Sequence, residues 1–114
     1  VKSKNFINFR QKKYKNATCF VDGIRFDSRR EADYYGQLKI EKKAKLIKDF
    51  ERQVSFELRC NNFLICRHVV DFLVTNLDGS YEVREVKGFA TDLWAIKKKL
   101  FEATYPEIPY KVIR

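Results

Sequence analysis

"HVVDFLVTNLDGSYEVREVKG", residues 68–88, holds two β-prone runs on either side of Asp78-Gly79. An Asp-Gly pair between such runs is a strong hairpin signal, because glycine supplies the positive φ that a tight turn demands. The two runs are therefore read as antiparallel neighbours. Counting outward from the turn, position 71 falls beside position 86 to within a residue or two, so Asp71 and Glu85 are neighbours. Side chains alternate along a strand, which puts Val83, Glu85 and Lys87 on one face and Glu82, Arg84 and Val86 on the other. Asp71 is flanked by Val69, Val70, Phe72 and Leu73. A carboxylate in that setting must edge into water or find a partner.

Elements on either side extend the pattern. A second Asp-Gly pair, Asp22-Gly23, sits inside "TCFVDGIRFDS" and predicts an N-terminal hairpin. Ser28 with Glu31 three residues later fits a capping box, so a helix starts there and fades near residues 43–45. Ala32, Tyr35 and Leu38 form its inward stripe. "LIKDFERQVSFELRC" reads as extended chain with a break near Arg52–Val54, and "NNFLICRHVVDFLVTN" as a long β-rich run. Thr91 or Asp92 caps a second helix that Pro106 closes, and "IPYKVIR" is a final short strand. The order is hairpin, helix, three strands, helix, strand: an α/β fold with a mixed sheet.

The chain has 114 residues, the size of one domain. Residues 1–15 carry Lys2, Lys4, Arg10, Lys12, Lys13 and Lys15 and no acid, and read as a basic arm ahead of a single domain over 16–114. Lys and Arg outnumber Asp and Glu by 24 to 15, a formal charge of +9 that favours polyanions, nucleic acid first. No apolar run approaches the roughly 20 residues needed to span a bilayer. The amino end lacks a signal-like apolar run, so an intracellular protein without a membrane segment is expected. Three cysteines without a CxxC spacing argue against a disulfide framework or a zinc site. His68 is the one histidine, and reads as a strand residue near Asp71 rather than as part of a nucleophilic triad.

The acids carry the chemistry. Two carboxylates brought together repel unless a cation lies between them, and a hard divalent ion such as Mg²⁺ or Mn²⁺ takes one or two carboxylates and keeps several waters. Such an ion polarises a phosphoryl oxygen and acidifies a bound water. Lys87 stands where an ammonium can orient that water or steady charge developing on phosphate. Glu31 shares the stripe of Tyr35 and Leu38 at i, i+4 and i+7, so it either points toward the sheet or closes the capping box with Ser28. Lys97 falls among Leu93, Trp94, Leu100 and Phe101 on the second helix. On a helical wheel these positions form the buried stripe, and Lys97 either snorkels past the rings or contacts phosphate at the site's edge.

Asp71, followed after thirteen residues by Glu85-Val86-Lys87, resembles the D…(D/E)-x-K signature of the PD-(D/E)xK nuclease superfamily. "VDGIRFDSRREADYY", the "DF" strand and "EVKGFATDLWAIKKKLFEATYP" look more specifically like small phage-encoded endonuclease-like proteins, over roughly residues 15–114. That resemblance implies a restriction-endonuclease-like core, αβββαβ, with two helices flanking the sheet. It implies Asp71, Glu85 and the Val86 carbonyl as metal ligands, Glu31 as a third carboxylate, Lys87 as the catalytic lysine and Mg²⁺ or Mn²⁺ as cofactor. The implied partner is DNA, with Lys12, Lys13, Lys15, Arg29, Arg30, Lys97 and Lys98 in contact with it. Junction-resolving relatives in this superfamily are small, basic and dimeric. They suggest branched DNA as substrate, a homodimer, and the cytoplasm of a host cell as location. Position 70 is valine where the motif's name has proline. The alternative is a DNA-binding or phage interaction protein on the same fold, with structural carboxylates.

Overall fold

Asp22 (φ 55°) and Gly23 (φ 76°) reverse the chain between β1 (Cys19–Val21) and β2 (Ile24–Phe26), as the Asp-Gly signal required. This is a computed structural model, and it describes residues 18–114. The basic arm, with Lys12, Lys13 and Lys15, lies outside the described residues. The described chain divides into two compact units, which meet between residues 37 and 38, inside helix α1 (Arg29–Lys43).

In the first unit, the Ser28 Oγ accepts the Glu31 backbone N–H at 3.1 Å and so caps α1. Phe26 is buried and its ring lies 5.2 Å from that of Tyr35. The Tyr35 hydroxyl donates to Asp22 Oδ2 at 3.1 Å, which ties the helix to the hairpin turn.

The second unit opens with the end of α1, where Leu38 is fully buried. Lys45, at φ 62°, turns the chain out of the helix. Then come β3 (Asp49–Cys60), β4 (Phe63–Thr75), β5 (Tyr81–Val86), helix α2 (Asp92–Thr104) and β6 (Tyr110–Ile113). The four strands form one sheet in the order β3-β4-β5-β6; β6 runs parallel to β5 and the other neighbours are antiparallel. This is the expected α/β architecture with its mixed sheet. Asn61 (φ 49°) and Asn62 (φ 70°) make the two-residue turn between β3 and β4. Asparagine tolerates this left-handed conformation better than most residues.

Thr91 Oγ1 accepts the Trp94 N–H at 3.1 Å and starts α2. The helix sets Phe101 into the core with Leu58, Val70 and Val83, while Phe56 meets the Phe101 ring edge-on at 5.0 Å. Full burial of one such side chain stabilises the fold by about 1.5–3 kcal/mol. Val70 and Leu73 both join this cluster although three positions apart. A regular strand would send them to opposite faces. The alternation is therefore interrupted between them, at Asp71. Across the sheet the ladder also skips a pair, from Arg52↔Phe72 to Val54↔Val70. Gln53, inside that gap, has φ 56°, and the predicted break near Arg52–Val54 is this residue. Among the described residues no helix is long and apolar enough to cross a membrane.

Candidate active site

β4 and β5 pair regularly from Thr75↔Tyr81 to Phe72↔Arg84. One step beyond, side chains replace the main-chain ladder. The Asp71 N–H donates to Glu85 Oε1 at 3.0 Å, and the Val86 N–H donates to Asp71 Oδ2 at 2.9 Å. Each acid thus takes a backbone donor from the opposite strand. The neighbour relation read from the turn holds, and it brings the two carboxylates together.

Their electrostatics are those of a crowded pair. Burial pushes the Glu85 carboxyl up, and the neighbouring Asp71 charge pushes it further, to about 7. The bond from Asp71 N–H, the Lys87 ammonium and the Trp94 indole only partly offset this. Asp71 is raised as well, by burial, against the opposing pull of the Val86 N–H, Lys87 and Arg52. Two hard oxygen donors that resist carrying charge together fit a divalent cation, whose charge would replace the missing compensation. Among the described residues no three or more His, Cys, Asp or Glu side chains gather around one point, so the acidic centre is a pair.

Lys87 follows β5 directly. Its N–H donates to the Ile113 carbonyl at 3.0 Å, which continues the parallel pairing with β6. Its ammonium lies 5.3 Å from the centre of the Trp94 ring, a cation–π contact that holds the long side chain beside Glu85. Tyr110, on β6, hydrogen-bonds His68 through its hydroxyl at 2.8 Å. Burial and the nearby Glu85 carboxylate keep that hydroxyl protonated. Burial together with Lys97 and Lys87 lowers the His68 pKa, which favours the neutral imidazole. The Trp94 Nε1–H is buried without a full hydrogen bond, although it faces Glu85 and Tyr110 closely enough to lower both.

The other expected site residues are distributed. Glu31 belongs to the first unit, where its N–H is spent on the Ser28 cap. Arg29 and Arg30 are exposed in the first turn of α1. Lys97 Nζ reaches the Arg67 carbonyl at 3.5 Å, and Lys98 pairs with Glu102 at 2.9 Å.

Over residues 11–114 the chain matches the family described as "Protein of unknown function (DUF1064)". It belongs to that family. No curated protein and no solved structure matches it. The match takes in every residue of the acidic centre of this DUF1064 chain. The family description names no activity.

Sequence reasoning passed over the opposite face of β5. Glu82 is buried, with Arg84 Nε at 2.7 Å and Lys111 Nζ at 3.3 Å, and Arg84 also reaches Glu41 at 3.0 Å. Burial raises the Glu82 carboxyl, but these cations outweigh it and hold it below its ordinary value. The alternating charges of "YEVREVK" were the available signal. They allowed a solvated face equally well, and only the packing distinguishes the two.

Proposed function

We propose that this DUF1064 chain is a divalent-metal-dependent endodeoxyribonuclease. The observation that carries the reading is the splay of β4 from β5, where Glu85 accepts the Asp71 N–H and Asp71 accepts the Val86 N–H beside Lys87. Asp71 and Glu85 would hold the ion, with the Val86 carbonyl as a further oxygen donor. A bound Mg²⁺ or Mn²⁺ supplies Lewis acidity toward a phosphoryl oxygen and a water of lowered pKa.

The chain's own groups do the rest. Asp71 and Glu85 present fixed negative oxygens, held in place by main-chain donors and therefore needing little reorganisation. Lys87 gives a positive charge at the place where negative charge accumulates on the pentavalent phosphorus. The water oxygen bonds to phosphorus and gives up a proton to solvent, the bridging P–O bond breaks, and the leaving oxygen takes up a proton from solvent. The net charge of +9 suits DNA as the partner. The branched substrate, the homodimer and the intracellular setting belong to the same proposal and rest on the superfamily resemblance.

The test is a panel of linear, nicked, flap and four-way DNA incubated with Mg²⁺ or Mn²⁺. Cutting of at least one substrate is expected, with EDTA, Asp71→Ala and Lys87→Ala each lowering the rate by at least a hundredfold. An unreactive panel in both metals sinks the proposal. Cleavage that survives Asp71→Ala would remove the acidic pair from the mechanism.

A further inference from the structure

Beside the acidic pair, the space between β4 and α2 is an open cleft of about 340 Å³. Arg67, Val69, Glu85, Lys87, Leu93 and Lys97 are among the residues that line it, with Trp94 at its wall. Its charge is lopsided: three cations face one acid. Its walls are apolar where apolar groups are not covered, with Val69 49% and Leu93 64% exposed. Phe89, in the three-residue link between the lining residues Lys87 and Thr91, is 81% exposed. A solvated lysine face would explain the cations but not the uncovered apolar residues set among them.

We infer that this cleft is a subsite for one unpaired nucleotide of the substrate strand, its phosphate held by Lys97 and Arg67 and its base laid against Val69 and Leu93. The inference rests on the nuclease reading for the identity of the strand. An anion with a flat apolar body is the ligand that this combination recognises. The volume lies at the low end of small-molecule sites, about 300–1,000 Å³, a size that suits one nucleotide. Neither cation is committed to a strong partner. Lys97 reaches only a carbonyl at 3.5 Å, and the Arg67–Glu57 pair at 3.3 Å is exposed, the kind of ion pair that contributes little. A nucleotide seated there adjoins Glu85 and Lys87, so the next phosphate along the strand falls at the acidic pair. The subsite selects DNA that is unpaired next to the cut, as at a branch, a flap or a junction.

Trp94 is the chain's one tryptophan, and its place in the cleft makes its emission a reporter of occupancy. The experiment titrates the full chain in EDTA with a single-stranded thymidine octamer, an abasic strand of equal length and a blunt duplex. The octamer is expected to change the emission saturably and to bind at least ten-fold tighter than the abasic strand. Lys97→Ala and Arg67→Ala should each weaken it roughly ten-fold, the loss of one charge-assisted phosphate contact. Leu93→Ser, at an exposed position that folding does not depend on, should reduce the preference for the base-bearing strand. Equal affinity for octamer and abasic strand, or indifference to Lys97→Ala and Leu93→Ser, overturns the subsite. If DNA is cut normally while the octamer leaves the emission unchanged, the subsite fails and the nuclease reading stands. If the emission responds as expected while no DNA is cut in either metal, the subsite stands and hydrolysis fails.

Discussion

Glu85 concentrates the energetics of the site in one side chain. It is only 5% exposed, next to a second carboxylate, and its pKa rises from 4.5 to about 7. The sign follows from linkage. A carboxyl whose folded pKa exceeds its unfolded value favours folding while protonated. That contribution is complete below pH 4.5 and is lost as pH rises through 7. In EDTA, Glu85→Gln should therefore match the wild type near pH 5 and exceed it by about 2–3 kcal/mol at pH 8. Urea melts at the two pH values read this directly. Adding Mg²⁺ at pH 8 should stabilise the wild type and leave Glu85→Gln nearly unmoved. A constant gap between the two proteins at both pH values would show that the Asp71–Glu85 pair carries no strain. Lys87 differs in kind. The Trp94 ring steadies it, and its value lies in where its charge stands.

At the scale of elements, β3 and β4 have to break their own regularity to deliver Asp71. Gln53 sits at φ 56° in the missing pair, across from Asp71, where the strand alternation changes. A non-glycine residue in the left-handed region costs roughly 1–2 kcal/mol, least for asparagine. Gln53→Asn should accordingly leave stability almost unchanged. Gln53→Val, β-branched at positive φ, should lower it by about 1–2 kcal/mol and weaken Mg²⁺ binding as Asp71 moves. Denaturant melts and calorimetric metal titration give the two readouts, and an undiminished Gln53→Val in both would mean that the kink does not position the acid. Asp22-Gly23, Asp78-Gly79 and the Ser28 and Thr91 caps act within a few residues, so their chemistry is written locally. The Asp71–Glu85 neighbourhood follows from one of those turns. The break near Arg52–Val54 was visible as a lapse in pattern, but its left-handed cause was not. The cleft was illegible because Arg67 and Lys97 are thirty residues apart and meet only through the packing of α2 on β3 and β4. Leu93 shows the same limit. The helical wheel put it in the buried stripe, yet the first turn of α2 runs past the core and leaves it exposed.

Over the whole molecule, the positive charge and the acidic centre oppose each other in a useful way. The long-range field of a +9 chain draws a polyanion in, while the acids at the β4–β5 splay repel phosphate until a cation neutralises them. On the proposed nuclease reading, affinity for DNA and competence to cut it are then separable properties. The six basic residues of positions 1–15, with no acid among them, should serve the first and not the second. Each phosphate neutralised on duplex DNA steepens the dependence of log K on log salt by about 0.9. In the full chain, replacing Lys12, Lys13 and Lys15 together by Gln should flatten that slope by roughly 2–3, whatever the DNA sequence, since backbone contacts do not read bases. Fluorescence anisotropy in EDTA, across a salt series, measures it. Single-turnover cleavage at saturating protein should be left near the wild-type rate by the same triple variant, because Asp71, Glu85 and Lys87 are intact. An unchanged salt slope would remove the arm from the interface. A slope that flattens together with a collapse of the saturated rate would place those lysines in the chemistry and not only in the approach to it.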